Sequence, residues 1–173
     1  MATKQPEGTK PTEPQTSSEA IDVAEDSSAD QGNQADKVIR KYAIGTAGAG
    51  LIPLPVADVA IIAGIQLKLI HSLCKIYDVK FSKDLGKSAI ASLTGGLASH
   101  GAAAGVLGSS IKSIPAVGTA LGVATVPAIA SASTYALGQV FRQHFESGGT
   151  FLNFDPEATK AYFNEEYEKS RAN

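Results

Sequence analysis

The chain has 173 residues, with 15 Lys or Arg against 17 Asp or Glu and a formal net charge of −2; 43% of it is hydrophobic and 18% charged. That length allows one domain with a core. Its single cysteine, Cys74, excludes an intramolecular disulfide and a multi-cysteine zinc site, fits a reducing compartment and reads as a small apolar filler.

The near-neutral total conceals blocks of opposite sign. Residues 1–36 set Lys4 and Lys10 against Glu7, Glu13, Glu19, Asp22, Glu25, Asp26, Asp30 and Asp36 in a Pro, Thr, Ser, Gln and Gly background, the composition of a disordered acidic tail. The N-terminus has no basic segment followed by an apolar run, so the chain is expected to begin in the cytosol. From Lys37 to Arg142 the balance turns basic, with Asp58, Asp78 and Asp84 as the acids, and it turns acidic again from Glu146 onward.

The first helix is expected over about Lys37 to Leu51, ended by Ile52-Pro53-Leu54-Pro55, because two prolines two apart force a turn. Pro55 suits the first turn of a second helix, with Asp58 near its positive dipole end. That helix runs to about Tyr77, apolar almost all round from Val56 to Leu67 and amphipathic thereafter, as a helix leaving a greasy medium would be. Ser82 caps a third helix reaching about Ser110, and Ile114-Pro115 ends it. The fourth runs from about Ala116 to Phe145 with a kink at Pro127 and closes at Gly148-Gly149. Asp155-Pro156 then starts a short amphipathic helix carrying Tyr162, Phe163 and Tyr167.

The expected fold is therefore all-α: a disordered tail over 1–36, two consecutive helical hairpins over 37–147, and a linker with a C-terminal amphipathic helix over 148–173.

Ser88 to Ile111 and Ser113 to Phe141 contain no Asp, Glu, Lys or Arg, yet they are built mainly of Gly, Ala and Ser. Each glycine inside a helix costs about 1 kcal/mol relative to Ala, so close helix packing must offset Gly86, Gly95, Gly96, Gly101, Gly105, Gly108, Gly118 and Gly122. Gly101 to Gly105 and Gly118 to Gly122 are GxxxG pairs, which let helix backbones touch, above all in a bilayer. Lys37, Arg40 and Lys41 precede the first hairpin, while Lys75, Lys80, Lys83 and Lys87 lie between the two. The positive-inside rule turns these open ends to the cytoplasm, and anionic headgroups or a partner suit them.

Ser88 to Ile111 would reach about 36 Å as a helix, enough for a ~30 Å hydrocarbon core, but with six Leu, Ile or Val among five Ser, five Gly and His100 it would insert poorly alone. A re-entrant or interface-lying hairpin is the alternative to a full span.

Gly50-Leu51-Ile52-Pro53-Leu54-Pro55-Val56-Ala57-Asp58, then Ile65-Gln66-Leu67-Lys68-Leu69-Ile70 and Ile76-Tyr77, resembles the bacterial family termed domain of unknown function 697. Lys112-Ser113-Ile114-Pro115-Ala116-Val117-Gly118, Ala136-Leu137-Gly138 and Gly148-Gly149 extend the resemblance over roughly Val38 to Phe151. Ala116 departs from the glycine usual there. Relatives of this kind include YcjF-like membrane proteins and domains fused behind Era-like small GTPases. The resemblance implies a helical, membrane-associated module working beside a separate GTPase, with Ile52, Pro53, Pro55, Asp58, Ile114, Pro115 and Gly118 as hairpin-turn motifs, and it implies no catalytic residues.

Chemistry-bearing motifs fail on spacing. Gly86-Lys87-Ser88 ends like a phosphate-binding loop, but Phe81 stands where the loop needs its first glycine. Gly45, Gly48 and Gly50 meet Pro53 at the third glycine position of the dinucleotide fingerprint. His100 has no metal-ligating residue at helical spacing, no serine has a histidine and acid constellation, and the basic residues lack the interleaved aromatics of a nucleic-acid module. No enzyme activity, cofactor, metal or nucleic-acid partner is expected.

The expected role is a module in or on the cytoplasmic membrane, its tail in the cytosol, that self-associates through Gly and Ala faces and recruits a GTPase. The alternatives are a soluble self-assembling scaffold and a pore-forming hairpin protein.

Overall fold

The computed structural model describes residues 16–49, 57–107 and 115–172, with side chains at 27–49, 60–95 and 127–172. The regular elements among them are all helical: α1 (Thr16–Ala49), α2 (Ala57–Ile76), α3 (Lys83–Leu107), α4 (Pro115–Glu146) and α5 (Pro156–Ala172).

The helix ends carry their causes in the sequence. After α2, Asp78 takes a left-handed φ of 52° and the Val79 N–H donates to the Cys74 carbonyl at 2.8 Å. Gly148 repeats this after α4 with φ 75°, and the Gly149 N–H donates to the His144 carbonyl at 2.8 Å. These 6→1 bonds satisfy carbonyls that the last turn leaves open. Asp155 Oδ1 accepts from the N–H groups of Glu157 (2.9 Å) and Ala158 (3.3 Å), so it caps α5 ahead of Pro156 as expected. Pro127 lies within α4 without ending it.

The boundary expected at 36/37 is not an element boundary, because α1 runs through it from Thr16. Gly32, Ala35, Ile39, Ala43 and Thr46 form a buried stripe at 3- and 4-residue spacing, so the acidic segment's last residues belong to the packed bundle. Residues 1–15 lie outside the described residues.

The helices alternate in direction. Down α4, contacts with α1 run from Gly32 beside Arg142 to Asp36 on Arg142 and Ile39 on Gly138, an antiparallel register. Gln66 meets Ser133 and Thr134 while Tyr77 meets Glu146, so α2 and α4 are parallel. Among the described residues the consecutive helices pack as one bundle around α4, whose main neighbours there are α1 and α5, while α3 leans on α2 and α5.

Leu69, Ile70, Leu73, Leu93, Leu137, Val140, Phe141 and Phe163 form the core, each 1% exposed or less. It lies toward the end where α2 hands over to α3 and α4 to α5. There Phe141 stacks on Phe154 at 4.7 Å between centroids and packs on Phe145 and Phe151.

Candidate functional site

The lysines and arginines expected at headgroups or a partner, Lys37, Arg40, Lys41, Lys75, Lys80, Lys83 and Lys87, are all exposed. None of them takes part in an ion pair among the described residues. On α1 they occupy the side opposite the buried stripe, and the same exposed side continues as Ile44, Gly45 and Gly48. On α2 the exposed side reads Ala60, Ile61 and Gly64, then Lys68, His71 and Lys75. Along α3, the exposed residues after Lys87 are Ser88, Ala91, Ser92 and Gly95. Helix α4 adds Ala128 and Ile129. Ile44 is 72% exposed. On α1, α2 and α3 the exposed surface thus changes from mainly basic to uncharged as the helix leaves the core end, whereas α4 exposes Gln143 and Glu146 there.

The glycines expected to pack helices together are reached only in part. A methyl added at Gly95 meets nothing within 4 Å among the described residues, so Gly95 makes no close approach there. Gly96, Gly101 and Gly105 fall within α3, and Gly118 and Gly122 within α4, but their surroundings lie outside the described side chains. Asp58 stands in the first turn of α2 and Pro115 opens α4, with their side chains also outside that set. Ile52, Pro53, Pro55, Gly108 and Ile114 lie outside the described residues.

Close approach is made at Gly86, one of the glycines that packing was expected to offset, and at Gly138, which had no expected packing role. A Cβ at Gly138 would lie 2.8 Å from Ile39 Cγ1, and one at Gly86 2.9 Å from Leu67 Cδ1. Gly138 stood in the sequence only as part of Ala136-Leu137-Gly138, and nothing in its local pattern identifies Ile39 as its neighbour.

A polar junction ties three helices at the core end. Arg142 donates from Nε to Glu146 at 2.8 Å and from Nη1 to Asp36 at 2.5 Å. The Tyr77 hydroxyl donates to Glu146 at 2.8 Å, and Gln139 Nε2 donates to Asp36 at 3.3 Å. Burial, reinforced by Glu146, raises the Tyr77 hydroxyl well above its ordinary range. Burial alone would weaken the Arg142 charge, but the Glu146 and Asp36 carboxylates outweigh it and raise its pKa. With side chains 25% to 38% exposed, this junction orients α1 more than it stabilises the fold. Nearer the middle, Gln66 donates to Thr134 (3.3 Å) and Ser133 (3.4 Å) in a buried polar layer.

Cys74 is 2% exposed. Burial pushes its thiol from 9.0 to about 11. The unfolded chain releases that proton at lower pH than the native one, so the stabilisation is complete below pH 9 and fades as pH rises toward 11. Denaturant midpoints should therefore fall over this window, by up to roughly 2 kcal/mol in stability. Cys74→Ala should flatten the fall; an unchanged slope would assign it to another group.

Among the described residues, no three His, Cys, Asp or Glu side chains gather as metal ligands, and no helix is long and apolar enough to cross a membrane.

The family model described as Domain of unknown function (DUF697) matches residues 18–171. Magnetosome membrane protein 22 of Magnetospirillum gryphiswaldense is 41% identical over 138 residues, covering 80% of this chain and 71% of that protein. No solved structure matches.

Proposed function

Since the chain belongs to the family described as Domain of unknown function (DUF697), we propose that it is a non-catalytic helical module that sits on the cytoplasmic membrane and enters its interface with the uncharged half of the bundle. The carrying observation is that exposed residues beyond the basic positions, Ile44, Gly45, Gly48, Ala60, Ile61 and Gly64, bear no charge and are mostly apolar. A relative named as a magnetosome membrane protein supports the same class of location.

Partial entry fits better than a span. Asp58 in the first turn of α2 and Lys112 between α3 and α4 would each cost roughly 2.5–3.5 kcal/mol at the bilayer centre. From Lys68 back to Ala57, α2 rises only about 16 Å, half of a ~30 Å core.

Two finer roles belong to this reading. Gly and Ala faces in the inserted half hold copies of the chain together, since small residues allow close helix contact where lipid offers no competing hydrophobic force. A separate Era-like GTPase is the partner, on the strength of the family resemblance to domains fused behind such enzymes.

Flotation of detergent-free protein with phospholipid vesicles tests the main reading. Protein rising with the vesicles is expected. Complete recovery at the bottom of the gradient as a defined soluble oligomer would replace it with the self-assembling scaffold, and dye release from the vesicles would favour a pore.

A further inference from the structure

The register of the bundle brings lysines of three helices to one height. Gln66 beside Ser133 and Thr134, and Tyr77 beside Glu146, align each α2 residue with an α4 residue 67 to 69 positions later. Gly138 of α4 meets Ile39 of α1, so Ile39 is level with Ile70 and Lys41 with Lys68. Gly86 of α3 meets Leu67 of α2, which sets Lys87 at the same height. The three lysines agree to within about one helical turn, roughly 5 Å. Above them, every described exposed residue of α1, α2, α3 and α4 is uncharged; Arg40, Lys83 and the single acid Asp84 fall within the same turn, and Lys37, Lys75 and Lys80 lie below.

We propose that Lys41, Lys68 and Lys87 form a collar that meets the headgroups of an anionic bilayer and fixes how deeply the bundle enters it. This deepens the interfacial reading above and rests on it. The occupant is a lipid surface because the collar is level, basic and bordered on one side by uncharged surface, the order in which a bilayer presents phosphates and then acyl chains. A protein partner would require no such common height.

Helix α5 packs on α4 and α3, and its exposed Glu165 and Glu168 are paired with Lys169 and Arg171.

The full chain carrying an environment-sensitive label at Ile44→Cys, Ile61→Cys or Asn33→Cys tests the depth; labelling at neutral pH spares the buried Cys74. With phosphatidylglycerol vesicles, the labels at 44 and 61 should shift to the blue and be quenched by acyl-chain quenchers, while the label at 33 should not. In a separate arm, the K41Q/K68Q/K87Q variant should lose roughly a hundredfold in affinity for these vesicles, about fivefold per lysine, whereas K37Q/K75Q/K80Q should lose under tenfold. Equal losses in the two triple variants, or bound protein whose labels at 44 and 61 stay in water, would overturn the collar while leaving membrane association intact. Failure of the unaltered chain to bind vesicles at all would defeat the underlying reading instead. The substituted lysines are exposed and make no ion pair among the described residues, so unchanged circular dichroism and melting temperature are expected in both triples.

Discussion

Replacing Phe141 with alanine is expected to cost about 3–5 kcal/mol, out of the roughly 5–15 kcal/mol that a domain of this size holds. Phe141 is fully buried and stacks on Phe154 with 11° between the ring planes; Phe145 and Phe151 pack against it at 5.6 and 5.8 Å. All four rings come from the end of α4 and the link that follows it, so the cluster is the hinge on which the chain turns back into α5. Truncation leaves a cavity that rings held by a short link cannot easily collapse into. Urea denaturation followed by circular dichroism measures the loss. Hydrogen exchange should show α5 opening first, through Phe163 and Tyr167, before α1 and α2. A loss below 1 kcal/mol would mean that the cluster is not what closes this end of the bundle.

Helix ends were legible where local chemistry dictates them. Asp155-Pro156, Gly148 and Pro115 act through a capping oxygen, left-handed backbone and missing N–H groups within a few residues of themselves, so no tertiary information is needed to place α5 or the two ends of α4. The first half of α1 was not legible for the opposite reason. Its buried positions include Gly32 and Ala35, too small to give an apolar stripe, and its acids suggest solvent. Asp36 is held by Arg142, 106 positions away, a pairing that composition cannot reveal. The basic residues of the candidate site were visible as a charge pattern. Their common height was not, because it depends on side-chain contacts such as Gly86 on Leu67 that only the packed bundle supplies, and Lys68 therefore passed as an ordinary polar-face residue.

Gly138→Val should destabilise the chain by about 3 kcal/mol, whereas Gly95→Ala should stabilise it by up to about 1 kcal/mol. Both glycines are inside helices, where removing backbone freedom from the unfolded chain favours a residue with a Cβ. At Gly95 nothing opposes that gain, since the new methyl meets no described atom within 4 Å. At Gly138 the Cβ would lie 2.8 and 2.9 Å from the two γ carbons of Ile39, itself 0% exposed. Ile39 has a stiff, branched side chain with no room to turn, so α1 must move away from α4 and lengthen the Asp36–Arg142 pair as it does. Because α1 carries Lys41, the same displacement should weaken vesicle binding, tying a core contact to the surface function. Trimming the obstacle tests the cause: Ile39→Ala combined with Gly138→Val should cost at least 1 kcal/mol less than the two single losses added together. Strict additivity in that cycle would show that the packing of α1 on α4 does not depend on this glycine, and the height assigned to Lys41 would lose its anchor.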